Sequence, residues 1–244
     1  MKCIILAAGY ATRLYPLTEN FPKPLLEVGG KAILDWLVDD IAPLIDECVV
    51  ISNHKFADQF QNWADRKAQK ITVLDDGTVS NETRLGAVRD IQFAVEKLGI
   101  NDGCVVMAGD NVLDFSLCPF VSFALEKQTS CVMCHEENRL EALRKTAVIT
   151  MDENHLIQSY EEKPLNPRGN HAVPPFYFYR PEDLHRIPEA LAAGCGLDAP
   201  GSFAAWLSAQ TPMHAYVMPG KRYDIGDLKS YEYVRETYRG GNFC

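Results

Sequence analysis

Near its N-terminus the chain reads Leu6-Ala7-Ala8-Gly9-Tyr10-Ala11-Thr12-Arg13-Leu14, and Lys23 follows ten residues after Arg13, in Phe21-Pro22-Lys23-Pro24-Leu25. A strand that runs into small residues lets backbone N–H groups approach an anion closely, and an arginine and a lysine bring positive charge to the same place. Those are the physical requirements of a cradle for a triphosphate. Neither common glycine fingerprint is present, since Gly-x-Gly-x-x-Gly and the Gly-Lys-Ser/Thr ending of a P-loop are both missing. A nicotinamide-binding oxidoreductase and a P-loop NTPase thereby lose their main support. Further on, Gly109-Asp110-Asn111 closes an apolar strand. An acidic side chain at the carboxyl edge of a parallel sheet sits over the ligand crevice.

The chain carrying these residues is 244 long, 47% apolar and 23% charged, with 33 acidic against 24 basic side chains and a net charge of −9. That length suits one ordinary α/β domain or two small ones, with enough chain to bury a core. The acidic balance argues against a nucleic-acid partner, whose phosphates need a basic surface. Charged residues interrupt every apolar stretch well short of the roughly 18 to 20 residues of a membrane span. The short apolar run Met1 to Gly9 passes straight into Tyr10-Ala11-Thr12-Arg13, without the pattern of a signal peptide. The expectation is a cytoplasmic protein with no membrane partner. Eight cysteines, at 3, 48, 104, 118, 131, 134, 195 and 244, mostly stand alone in apolar runs and read as small buried hydrophobes. Cys131-Val132-Met133-Cys134-His135 spells a haem-attachment signature, but without an export signal or a second Cys pair it reads as chance.

The elements that must position the chemistry alternate in type over the first half. Strands are expected at Lys2 to Ala7, Glu47 to Ser52, Ile71 to Leu74 and Cys104 to Ala108. Helices are expected at Ala32 to Ile45 (broken near Pro43), Phe56 to Lys67 and Gly86 to Leu98. Such alternation predicts a mostly parallel sheet covered on both faces. After residue 130 the strand candidates crowd together: Ser130 to His135, Ala147 to Met151, Ile157 to Glu161 and Phe176 to Tyr179. Asp152-Glu153-Asn154-His155 reads as a turn joining the middle two. Helical stretches return at Pro181 to Ala193, Ser202 to Gln210 and Leu228 to Tyr238. No repeat or linker breaks the chain, so a single domain is expected, with residues 1–130 as a nucleotide-binding half and 131–244 as an acceptor-binding half.

The opening segment, with Pro16-Leu17-Thr18 and Pro22 to Leu25, resembles the sugar-1-phosphate nucleotidyltransferase family, in its short, glucose-1-phosphate thymidylyltransferase-like form. The resemblance implies a Rossmann-like α/β fold of the nucleotide-diphospho-sugar transferase type. It implies nucleotide contacts from Leu6, Ala8, Gly9, Arg13 and Lys23. Asn81 to Ile91 resembles the segment that reads the nucleobase, with Asn81 as the amide and Gly86 as the backbone that faces the base. By the same resemblance Asp110 and Asp224, the latter in Arg222-Tyr223-Asp224-Ile225-Gly226, are ligands of Mg2+, a hard cation suited to carboxylate oxygens. Ser159-Tyr160-Glu161-Glu162-Lys163-Pro164 resembles the acceptor motif, in which Lys163 holds the acceptor phosphate and Glu162 bonds its hydroxyls. Asn111, Ala147 and Val173 complete the implied acceptor site. The chain departs from the family pattern at Ala11, which stands for a glycine, at Ala147, which stands for another, and at Pro174-Pro175, which removes backbone donors.

The implied reaction moves a nucleoside monophosphate from an NTP to a sugar-1-phosphate, releasing pyrophosphate and giving an NDP-sugar. Arg13, Lys23, Asp110, Lys163 and Asp224 are the expected catalytic set. The departures around the acceptor leave open a cytidylyltransferase acting on a phosphorylated alcohol or amine such as phosphocholine. A catalytically silent nucleotide-sugar sensor is the reading from another class. The base, the acceptor and any homo-oligomer are left open. The distance from Asp224 to the last residue leads to the expectation that no second, acyltransferase activity follows.

Overall fold

The structure, a computed structural model, describes residues 1–241. The chain divides into two compact units, one built from Met1–Arg84, Met107–Cys118 and the stretch from Pro219 onward, the other from Leu85–Val106 and Pro119–Met218.

In the first unit Lys2–Leu6, Glu47–Ser52 and Ile71–Asp75 form parallel strands, with Cys3 paired to Cys48 and Cys48 to Ile71. The middle strand is buried at every position, as expected of an apolar run covered on both faces. The expected helix from Ala32 runs only over Ile33–Ile41 and tightens into a 3-10 turn at Ala42–Leu44, where Pro43 has no N–H to continue the ladder. A helix at Ala57–Ala64 follows the second strand. The C-terminal helix, Leu228–Thr237, starts at Asp227, whose Oδ1 accepts from Ser230 N at 2.8 Å. Its Tyr231 and Val234 enter a core with Leu14, Leu26, Val28, Ile33, Val112, Ile225 and Tyr238. Two three-residue strands, Asn111–Leu113 and Arg222–Asp224, pair antiparallel as a ribbon that the alternation pattern had not disclosed.

The second unit is mainly antiparallel. Its strands lie in the order Ile157–Glu162, Ala147–Met151, His171–Val173, Ser130–Glu136, Phe176–Tyr179, and Met213–Val217 runs parallel to Ser130–Glu136. The turn expected at Asp152 closes through Asp152 Oδ1, which accepts from Asn154 N and Leu156 N at 2.9 Å each. The helical stretch from Pro181 divides into Pro181–Leu184 and Ile187–Ala192, because Pro188 has no N–H to give Leu184. Gly201–Ser208 forms the helix expected one residue later. Cys131 and Cys134 are buried strand residues, and burial pushes their thiols up to about 11 and about 12, so both stay protonated. Cys3, Cys48 and Cys104 are likewise buried, and Cys244 lies outside the described residues. Among the described residues no helix is long and apolar enough to cross a membrane.

Candidate functional site

The opening loop is held by its backbone. Leu6 ends the first strand, and Ala7 N still reaches Ile51 O at 2.9 Å. Buried Asn53 donates through Nδ2 to Ala8 O at 3.0 Å and accepts through Oδ1 from Phe56 N at 3.2 Å, which fixes the loop against the next helix. Nothing lies within 4 Å of where a Cβ on Gly9 would stand, so bare backbone faces open space there. Ala11 adopts the left-handed conformation (φ 47°, ψ 42°), which explains why glycine suits this position. Its carbonyl accepts from Leu14 N at 2.9 Å and from Thr18 Oγ1 at 2.8 Å. Arg13 is exposed on the 3-10 turn Thr12–Leu14. Hydrogen bonds from Ser230 hold the Asp227 carboxyl below its ordinary range, and the nearby Arg13 charge adds to that effect.

Lys23 sits between two buried prolines with its side chain only 8% exposed, and its Nζ donates to Asp110 Oδ2 at 2.7 Å. The other oxygen of Asp110 accepts from Asn111 Nδ2 at 2.8 Å. Asn111 Oδ1 in turn accepts from Arg222 Nη1 at 2.6 Å, and the same nitrogen lies 3.7 Å from Asp224 Oδ1. The ribbon explains this assembly. Register pairs Asp224 with Asn111 and Tyr223 with Val112. Directly paired residues share a face, and the faces alternate along each strand. Val112 and Tyr223 therefore anchor one face in the core, while Asn111, Arg222 and Asp224 occupy the other. Tyr238 OH clamps the ribbon from behind by donating to Leu113 O at 2.6 Å.

The exposed Asp224 thus lies across from Asn111, the residue that follows Asp110, at the end of this ribbon. The hard oxygen donors of Asp110 and Asp224 fit a small divalent cation that keeps waters and substrate phosphates as its other ligands. Among the described residues no group of three or more His, Cys, Asp or Glu gathers to make an all-protein cage. The remaining nucleotide candidate of this unit, Asn81, is exposed on the loop after Ser80, and its carbonyl accepts from Arg84 Nη1 at 2.9 Å.

The second unit holds the other candidates. Gly86 precedes the helix Ala87–Leu98 with φ 92°, and a Cβ there would stand 2.7 Å from Leu197 O, which accepts from Val88 N at 3.0 Å. Both the backbone angle and this close approach require glycine. Three acceptor candidates fall in one row across adjacent strands: Glu162 pairs with Ala147, and Ala147 pairs with Val173. Thr146 Oγ1 donates to Val173 O and Lys163 N donates to Thr146 O, each at 3.1 Å, tying the row together at its end. Lys163 is exposed, with φ 49° turning the chain out of its strand. Burial pushes the Glu162 carboxyl above its ordinary range, and Lys163 partly offsets this. Gly201, at the start of its helix, leaves the space into which Glu162 Oε2, Tyr160 OH and Tyr177 OH converge. Asn111, an acceptor candidate from the sequence, lies in the first unit, where its Nδ2 donates to Asp110.

Three residues of these arrangements escaped the sequence reading: Asn53, Tyr160 and Arg222. Arg222 carried a usable signal, since a residue two before Asp224 on a strand shares its face.

The profile of the family described as Nucleotidyl transferase matches residues 2–240. A UTP–glucose-1-phosphate uridylyltransferase of Synechocystis sp. is 23% identical, covering 95% of this chain and 61% of its own length. A glucose-1-phosphate adenylyltransferase of Fervidobacterium nodosum is 26% identical over 93% of this chain and 59% of its own. The chain therefore spans about three fifths of the length of these curated relatives. Among solved structures, a Bacillus anthracis protein assigned as a glucose-1-phosphate thymidylyltransferase, in complex with sucrose, superimposes with a TM-score of 0.83. It is 24% identical, with 100% of this chain and 97% of that one covered.

Proposed function

The chain belongs to the nucleotidyl transferase family, and from that premise we propose that it transfers a nucleoside monophosphate from an NTP to a phosphorylated acceptor of the sugar-1-phosphate class, releasing pyrophosphate. The observation that supports this reading is the ribbon, which sets Asp224 across from Asn111, the residue after Asp110, whose carboxylate takes the buried Lys23 ammonium. A site of that kind manages phosphate charge.

The bare backbone at Ala8 and Gly9, with Arg13 on the following turn, binds the triphosphate and orients its leaving end. Lys23 fixes the Asp110 carboxylate and keeps a positive charge at the edge of the loop. Asp110 and Asp224 are the residues that would hold Mg2+, which when bound supplies neutralisation of the charge on the phosphates. Lys163 binds the acceptor phosphate, and Glu162 accepts hydrogen bonds from acceptor hydroxyls. An acceptor phosphate is ionised at neutral pH, so the in-line attack on the α-phosphorus needs no general base and no covalent enzyme intermediate. None of the six histidines takes a role.

The test is a pyrophosphate-release screen crossing ATP, CTP, GTP, UTP and dTTP with hexose-1-phosphates, phosphocholine and related phosphoalcohols, with Mg2+ or with EDTA. Release with a hexose-1-phosphate, lost in EDTA, is the expected result. Release with phosphocholine alone would move the acceptor to the phosphoalcohol class, and release from no pair would favour the sensor.

A further inference from the structure

We propose that Arg222 is a positioning residue that acts through Asn111 to set the orientation of the Asp110 carboxylate; the inference rests on the reading of Asp110 and Asp224 as the working acids. The Asn111 amide is buried, with no water to satisfy it, and its two ends face opposite demands. Nδ2 donates to Asp110 Oδ1 at 2.8 Å, while Oδ1 accepts from Arg222 Nη1 at 2.6 Å. Rotating the amide by half a turn would place an oxygen against the carboxylate and an NH2 against the guanidinium, two donor–donor or acceptor–acceptor clashes at once. The cation at position 222 and the Asp110 carboxylate therefore together dictate which way Asn111 points. Asn111 and Lys23 then hold the two oxygens of Asp110 from different sides, so the carboxylate plane is fixed.

Arg222 is itself held for this purpose. It lies on the same face of the ribbon as Asp224 and Asn111, with its guanidinium between them. Its Nε is buried without a hydrogen-bond partner among the described residues, and Asp224 Oδ1, at 3.7 Å from Nη1, is a longer contact than the 2.6 Å bond to Asn111. Without Arg222 the amide keeps only its bond to Asp110, loses the brace on its oxygen end, and holds Asp110 less rigidly. Outer partners of this kind change activity by about 10- to 100-fold when removed, because the groups they hold leave the productive geometry.

The experiment uses the full chain and the variants Arg222→Met, Arg222→Gln, Arg222→Lys, Asn111→Leu and Arg222→Met/Asn111→Leu. One readout is independent of turnover: the side-chain amide 1H–15N resonances of Asn111, assigned by their loss in Asn111→Leu and recorded without nucleotide or metal. The other is steady-state pyrophosphate release. In the wild type the two amide protons are expected to be distinct and slow to exchange. Arg222→Met should shift them and speed their exchange at least about tenfold, with kcat lowered about 10- to 100-fold and the KM for NTP within about threefold. Arg222→Lys, which keeps a donor, should restore most of both, and the double variant should be no slower than its worse parent. Arg222→Gln replaces the Met variant should that one fail to fold. Asn111 amide resonances unmoved in a folded Arg222→Met or Arg222→Gln protein would overturn the proposal. Should the wild type release no pyrophosphate from any pair, the functional reading falls, while the amide measurement still decides the role of Arg222.

Discussion

Lys23 and Asp110, 87 residues apart in sequence, meet at 2.7 Å with the lysine side chain buried and the aspartate partly open. Under the proposed function the carboxylate serves two ends: it works on the phosphates, and it is the counter-ion of a cation that has little water of its own.

The two acids should separate on that ground. Asp110→Asn leaves the Lys23 ammonium with only a neutral acceptor, so it should lose activity and also about 1–3 kcal/mol of stability. Asp224, whose side chain is 57% exposed, has only a long contact to Arg222 to lose. Asp224→Asn should abolish pyrophosphate release and leave the melting temperature within about a degree of wild type. Thermal unfolding run beside the activity assay checks both, and equal melting losses would remove the dual role of Asp110.

Gly201 is predicted to matter through Glu162. A methyl group there would run into Glu162 Oε2 and stand 3.2 and 3.3 Å from the Tyr160 and Tyr177 hydroxyls. Gly201→Ala should raise the acceptor KM about tenfold or more, with the KM for NTP unchanged. A rise confined to the NTP would detach this cluster from the acceptor.

Glu47 links stability to pH. Burial pushes its carboxyl up, but hydrogen bonds from Lys2, Thr72 and Lys70 outweigh it and hold the group at about 2, against an ordinary 4.5. A depressed acid contributes stability that is fully present above pH 4.5 and lost as pH falls towards 2. The shift corresponds to on the order of 3 kcal/mol at neutral pH. Glu47→Gln should therefore be less stable than wild type at pH 7, and the gap should close between pH 4.5 and 2. Denaturant unfolding across that range is the measurement, and a gap constant with pH would refute the linkage.

Ala11 offers a gain. A left-handed alanine costs about 1–2 kcal/mol, and glycine's greater freedom in the unfolded chain takes back about 0.4–1 kcal/mol. Ala11→Gly should stabilise the protein by up to about 1 kcal/mol, read from urea midpoints. A clear loss would mean that the alanine methyl makes a contact worth more than the backbone relief.

Strands made of continuous apolar runs were legible to the residue: Glu47–Ser52, Cys104–Ala108, Ala147–Met151 and Phe176–Tyr179 stand where the sequence reading puts them. Burial on both faces leaves such segments little other use. The ribbon was not legible, since three residues are too few to display an alternation, and each strand acquires meaning only from the other. The same reason hides Asn53, whose side chain serves backbone groups supplied from elsewhere in the chain. Asp110 and Asp224 could be named singly from their motifs. That Asp224 pairs with Asn111, the residue after Asp110, is a fact of register, which no stretch of sequence contains.

That register also sets an order of events. Arg222 and Asn111 are separated by 111 residues, and closing so long a loop is entropically costly and slow. On the ribosome, the opening loop, Lys23 and Asp110 are all made long before Arg222 and Asp224 emerge. The nascent chain therefore carries Asp110 without Asp224 until residues 111–224 have been made. Cleavage at Pro219 in the folded protein would leave Asp224 held only by the strand pairing and by the core contacts of Ile225, Tyr231, Val234 and Tyr238.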